Sequence, residues 1–209
     1  GVDEISAEFG DVNGTKGAYV IDAKYTGIES VELNPYYYSA PDTANFYGLK
    51  ASYSSDMIGA VVQYAASSEK VAGTEDGSIL NAELSTTVEG VSIAGGYIKT
   101  DKDGGIGSIA AFGDNVSPFE DGNYAYAGAG TSVNEKTYYA SLGYTVADIE
   151  LSALYGKTKY DTTTTSGDSE KELNLSAAYS FSDELSALLL YVDVNAEDAT
   201  DDYNKVVAS

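Results

Sequence analysis

Along most of the chain apolar and polar residues alternate one for one, the period that sends successive side chains to opposite faces of a β-strand. Tyr138, Ala140, Leu142, Tyr144 and Val146 form one face of such a segment, and Thr137, Tyr139, Ser141, Gly143 and Thr145 the other. Leu173, Leu175, Ala177, Tyr179 and Phe181 likewise oppose Asn174, Ser176, Ala178 and Ser180. Leu80, Ala82, Leu84 and Val88 oppose Asn81, Glu83, Ser85 and Thr87. The pattern predicts about fourteen short strands between Val2 and Ser209. No run approaches the roughly 18 apolar residues of a membrane-spanning helix. A β-sandwich alternates in the same way, so the period alone leaves the architecture open.

The tyrosines narrow it. Tyr37 follows Val31 by six residues, and the same step separates Ile58 from Tyr64, Val91 from Tyr97, Ile149 from Tyr155 and Leu185 from Tyr191. Strands entering the turns repeat it in reverse, from Tyr19 to Tyr25, Tyr47 to Tyr53 and Tyr138 to Tyr144. An even step keeps both residues on one face, and six residues span about 20 Å, or roughly 15 Å of height in a strand tilted near 40°. Rings reaching toward water at either end widen this to about the 25 Å apolar band of an outer-membrane barrel. The expected architecture is an antiparallel transmembrane β-barrel, with residues 1–209 as a single domain incomplete at both ends of a barrel of about sixteen to eighteen strands. The abrupt start at Gly1 and a last run, Tyr203–Ser209, without a terminal aromatic prompt that expectation.

Connection lengths supply an orientation. Short turns are expected near Gly27–Ser30, Ser54–Asp56, Glu89–Gly90, Ala147–Asp148 and Ser182–Glu184. Longer polar links are expected at Ser39–Ala44, Ser67–Ser78, Thr100–Gly105, Thr158–Glu170 and Asn195–Asp201. Short and long alternate, as periplasmic turns and external loops do in bacterial barrels. Tyr25, Tyr53 and Tyr144 then belong to a girdle at the short-turn rim, and Tyr37, Tyr64, Tyr97, Tyr155 and Tyr191 to one at the external rim. The segment Asp114–Asn123 is long for its expected short-turn side; a plain irregular turn is favoured over a folded-in constriction.

If the tyrosine face meets lipid, the opposite face lines the interior. That face carries Asp22, Lys24, Glu32, Asn34, Lys50, Gln63, Asn81, Glu83, Glu150, Ser152, Asn174 and Ser176. Lys24 and Lys50 opposite Glu32 and Glu83 would set a transverse field across a constriction; the plainer alternative is a solvated wall with no decisive residue. The net charge of −22, with 11 basic against 33 acidic residues, excludes phosphate-backbone binding and leads to an expected preference for cations. There is no His, so the histidine-based hydrolases that also occur as membrane barrels are excluded, and no enzyme activity is expected. The chain also has no Cys and no Arg. Asp101, Asp103 and Gly104 resemble the start of a calcium loop, but no Glu completes it. Asp198, Asp201 and Asp202 form a second acidic group. Neither makes a specific metal site; loosely held Ca²⁺ or Mg²⁺ at such loops is the most that is expected, and no cofactor.

The stretch Tyr36-Tyr37-Tyr38-Ser39-Ala40-Pro41-Asp42-Thr43-Ala44-Asn45-Phe46-Tyr47 resembles a strand–loop–strand unit of OprD-like porins and of the major porins of epsilon-class proteobacteria. Leu173–Asp183 followed by Glu184–Val194 is similar to the penultimate hairpin of those porins. The resemblance implies a trimeric barrel of about eighteen strands in the outer membrane. It implies passage of small polar or charged solutes, with the lipid bilayer and lipopolysaccharide as surroundings. Two other readings stay open: a structural or adhesive barrel without a channel, and a soluble secreted β-sandwich.

Overall fold

The computed structural model describes residues 17–107, 109, 118–119, 132–182, 185–197 and 202–209. Its strands are β1 (Tyr19–Asp22), β2 (Tyr25–Ile28), β3 (Val31–Ala40), β4 (Ala44–Ser54), β5 (Ile58–Glu69), β6 (Ser78–Val88), β7 (Val91–Thr100), β8 (Ser132–Val146), β9 (Ile149–Thr162), β10 (Ser166–Ser182), β11 (Leu185–Asn195) and β12 (Tyr203–Ala208). All belong to one antiparallel sheet in which each strand pairs with its neighbours in sequence, β1 and β2 both pairing β3. Among the described residues there are therefore twelve strands; the expected strand at Val2, with Gly1, lies outside them.

β1 and β2 are one strand broken at Ala23 and Lys24, and Pro35 is the cause. Ala23 N–H donates to the Pro35 carbonyl at 3.1 Å, but Pro35 has no N–H to return to the Ala23 carbonyl. The Asn34 side chain supplies the missing donor, its Nδ2 reaching the Ala23 carbonyl at 2.9 Å. The same Nδ2 also donates to Asp22 Oδ1 at 2.7 Å.

Tight hairpins close one end of the sheet. Glu89 and Gly90, at φ 50° and 82°, join β6 to β7, and Ala147 and Asp148, at φ 47° and 64°, join β8 to β9. Positive φ at both central residues is the turn whose twist matches paired strands. The opposite end differs from expectation in two ways. Ser39–Ala44 shrinks to Pro41–Thr43, and Thr158–Glu170 to Thr163–Thr165, because the strands continue through these polar stretches. Thr is among the residues favoured in strands, and the inward face of these stretches stays buried at Ala40, Ala44, Thr158, Tyr160 and Glu170.

The expected turn at Asp114–Asn123 lies almost wholly outside the described residues. Of that segment only Pro118 and Phe119 are described, and Phe119 packs on the buried face of the sheet with its ring edge on Tyr139 at 6.1 Å. Phe119 itself is folded in against the wall.

One face of the sheet is buried and the other exposed. Tyr36, Phe46, Ala65, Ile79, Ile98, Tyr139 and Leu154 form a buried cluster with Ile106 and Ile109 from the long connection. Leu190, Val192 and Val194 form a second one. The exposed face is the apolar one: Leu49, Val62, Leu84, Ile93, Leu142, Leu151, Leu175 and Leu189 are all exposed.

Candidate functional site: the wall of the buried face

Register fixes which residues share the wall. Across β3 to β10 one row runs Asn34, Lys50, Gln63, Asn81, Ile98, Thr137, Thr158 and Glu170. The row beside it, toward the tight turns, runs Glu32, Ser52, Val61, Glu83, Gly96, Tyr139, Gly156, Glu172 and Val194. Asn174 stands one step further along β10, opposite Leu154 and Val192. Asp22 faces Tyr36 across β1 and β3.

The wall is not a uniform lining. Gln63, Asn81 and Asn174 are buried, and Glu32, Asn34, Lys50 and Glu83 half-buried. Asp22, Lys24 and Glu150 are exposed. Lys24, in the break between β1 and β2, forms an ion pair at 2.8 Å with Glu32 of the adjoining β3 rather than standing across an opening from it. Lys50 and Glu83 lie on β4 and β6 of the same stretch of sheet, so these four residues do not face each other across an opening. Asn34 repairs the backbone break at Pro35, a structural task that its parity alone does not reveal.

Aromatic rings laid over glycines organise the wall. A Cβ on Gly96 would fall 2.2 Å from Tyr139 Cζ, and one on Gly48 2.2 Å from Tyr36 Cζ. The bare glycine lets each ring lie flat on the neighbouring strand. Tyr139 crosses Gly96 and donates to Glu83 Oε2 at 2.7 Å, fixing that carboxylate from two strands away. Phe119 covers Gly156 in the same way, with a Cβ there meeting its Cζ at 2.1 Å. Tyr36 stacks on Tyr38 at 5.4 Å, and Tyr38 donates to Asp22 Oδ2 at 3.2 Å.

Residues missing from the sequence reading include Tyr36, Tyr38 and Tyr139, whose parity is opposite to that of the girdle tyrosines beside them. The buried carboxylates Glu135, Glu170 and Glu172 are a second omission. Glu135 accepts from the Ser132 hydroxyl at 2.5 Å and its backbone N–H donates to Thr100 Oγ1 at 3.0 Å. Their signal was parity too: Glu170, Glu172 and Asn174 alternate with Lys171 and Leu173. Toward the tight turns the wall opens into a cavity of about 300 Å³ bordered by Ser92, Gly143, Thr145, Glu150, Ser152 and Ser176. Ser152 and Ser176 are hydrogen-bonded to each other there at 2.7 Å.

On the exposed face Tyr25, Tyr53 and Tyr144 lie toward the tight turns. Tyr37, Tyr64, Tyr97, Tyr155 and Tyr191 lie toward the other end, with Tyr47 and Tyr138 beside them. Tyr97 and Tyr138 touch at 4.8 Å between ring centres.

The acidic loop at Asp101 is closed on itself. Asp101 Oδ1 accepts from the N–H groups of Asp103 and Gly104 at 2.8 and 3.0 Å. These donors hold its carboxyl below the usual carboxylate range. Asp103 pairs with Lys102. No group of three or more possible metal-binding side chains occurs among the described residues; Asp198 and Asp201 lie outside them.

The strand order and register are those of an outer-membrane-type antiparallel β-barrel. Among solved structures the chain is similar to the Pseudomonas aeruginosa outer membrane protein OpdK, with TM-score 0.73, 15% identity, and coverage of 96% of this chain and 58% of that one. It is also similar to P. aeruginosa OprD, with TM-score 0.68, 18% identity, and coverage of 94% and 62%. Acinetobacter baumannii OccAB4 gives TM-score 0.66, 16% identity, and coverage of 92% and 51%. The fold is thus that of the OprD-type barrels, and the chain spans less than two thirds of the length of each. No family model matches the sequence, and no curated protein matches it.

Proposed function

We propose that the protein is a bacterial outer-membrane porin, a passive channel for ions and small polar solutes that prefers cations and carries out no catalysis. The observation that carries this reading is the inversion of the sheet. Between its two tyrosine rows the exposed face is apolar, while charged and amide side chains at that height are turned to the buried face. In water the exposed face would be a large sticky patch; in a bilayer it is the required surface. Lipid offers no hydrogen bonds, so the strands must pair around a closed ring. The fold shared with solved outer membrane proteins supports the same reading.

The cation preference follows from how charge is sorted. Asp22, Glu32, Glu83, Glu135, Glu150, Glu170 and Glu172 share the buried face with Lys24, Lys50 and Lys205, so acidic groups outnumber basic ones there. A negative wall concentrates counter-ions. A homotrimer in contact with lipopolysaccharide is the assembly this reading takes.

A second reading has its own support. Ile106, Ile109 and Phe119 are packed against the wall, which suits a barrel narrowed or filled by its own long connection. Planar-bilayer recording separates the two. A porin gives stepwise conductance with a reversal potential displaced toward the cation potential in a salt gradient. Inserted protein that stays silent leaves the structural barrel.

A further inference from the structure

Five of the 11 basic residues stand together on the exposed face, at the end of the sheet with the longer connections. They are Lys99, Lys136, Lys157, Lys159 and Lys171, on β7, β8, β9 and β10. Register sets Lys99 directly opposite Lys136, Lys136 opposite Lys159, and Lys157 opposite Lys171. Like charges placed directly across a strand pair destabilise a sheet, and this chain has no shortage of carboxylates with which to separate them.

The carboxylates nearest the patch are hydrogen-bonded to other groups, although Asp101 and Asp161 also feel Lys99 and Lys136 through space. Asp101 binds its own loop N–H groups. Asp161 accepts from Asn134 at 2.8 Å, from Ser166 at 2.7 Å and from Gly167 N–H at 2.8 Å. Asp193 accepts from Asn195 at 2.9 Å. None of the five lysines forms an ion pair within the described residues.

Height identifies what the patch meets. Lys99, Lys136 and Lys157 each follow or precede a tyrosine of the exposed face, Tyr97, Tyr138 and Tyr155, by two residues on the same strand. That step is about 6.6 Å along the strand, or roughly 5 Å of height when tilted. The ammonium groups therefore stand just beyond the aromatic row, where long stems lie on apolar surface and charged heads reach water.

We propose that this patch is a docking site for the phosphorylated headgroup of the lipid in the outer leaflet, with lysines from four adjacent strands converging on its phosphates. The proposal rests on the bilayer orientation given above. Phosphate supplies the negative charge that the opposed lysines lack, and several lysines at a charged membrane surface add their effects.

The test uses the protein folded in dodecyl maltoside and mixed with lipid A. Dephosphorylated lipid A and phosphatidylcholine serve as the other arms, and lipid co-eluting with the protein is measured. The unaltered protein retains lipid A about tenfold more strongly than either control lipid. Changing all five lysines to Gln removes that difference, the pair Lys136→Gln and Lys159→Gln removes part of it, and Lys50→Gln with Lys205→Gln on the buried face leaves it intact. Equal retention of lipid A and its dephosphorylated form overturns the proposal, as does retention unaffected by the five changes. Loss of the oligomer in the five-lysine variant with unchanged lipid retention also overturns it, making the patch an interface between copies. Retention is read in detergent and needs no conductance, so a silent barrel would refute the channel without touching this site.

Discussion

Ala153→Arg prevents insertion into lipid vesicles, while Ser152→Arg on the adjacent residue does not. The two are neighbours on β9 and point to opposite faces. Ala153 lies between Leu151, which is level with Tyr144, and Tyr155 on the apolar face, opposite Leu142 and Leu175 on the flanking strands. An arginine near the midplane of a barrel's lipid face costs about 2–4 kcal/mol, whereas one on the wet face costs little. Floatation of refolded protein with vesicles, followed by urea titration of the inserted fraction, reads both effects. Equal loss in the two variants would mean that neither face is set aside for lipid.

The second large effect is on ion selectivity. Neutralising Asp22, Glu83 and Glu150 with Asn, Gln and Gln lowers the cation-to-anion permeability ratio by about an order of magnitude. Each change is chosen to spare the fold. Gln at position 83 still offers a carbonyl oxygen to Tyr139, which donates to Glu83 at 2.7 Å. Asn at position 22 keeps an oxygen for Asn34 Nδ2, and its own NH2 donates to the Tyr38 hydroxyl in place of the bond that Asp22 accepts. Glu150 borders the open cavity near the tight turns. Lys50→Glu moves the ratio the other way. Reversal potentials in a tenfold salt gradient check both, and an unchanged value in the triple variant removes these carboxylates from the ion path.

Face assignment was legible in the sequence because side-chain period in a strand is fixed at two residues, whatever the sheet around it. The tight hairpins at Glu89–Gly90 and Ala147–Asp148 were legible as breaks in that period. Strand ends were not. At the outer end of β9 and β10 polar residues occupy both faces, the buried one carrying Thr158 and Glu170, so Thr158–Glu170 lost its apolar alternation while remaining paired almost throughout. Apolar contrast marks where a strand crosses lipid, not where it stops.

The wall itself was half legible. Parity put Lys50, Gln63, Asn81, Glu83 and Asn174 on one face, but partners come from residues distant in sequence. Glu83 and Tyr139 are 56 residues apart and Gln63 and Tyr36 are 27 apart. Asn34 is tied to the broken ladder by a proline next to it, a consequence that could have been drawn from Pro35 alone. The inward packing of Ile106, Ile109 and Phe119 left no periodic trace, since it depends on tertiary packing against the buried cluster rather than on a strand, Phe119 lying on Gly156 and Tyr139. The lysine cluster was invisible for a similar reason: its members are scattered over 73 positions of sequence, from Lys99 to Lys171, and only register brings them together.

The central claim is that one face of each strand meets lipid and the other meets water. The chain contains no cysteine, so single cysteines can be introduced one at a time along β6 without interference. With the protein inserted in vesicles, a water-soluble, membrane-impermeant maleimide labels Glu83→Cys and Ser85→Cys rapidly, and Ala82→Cys and Leu84→Cys at least about tenfold more slowly, because a thiol in hydrocarbon stays protonated and shielded. Labelling that fails to alternate, or that favours positions 82 and 84, would contradict the claim.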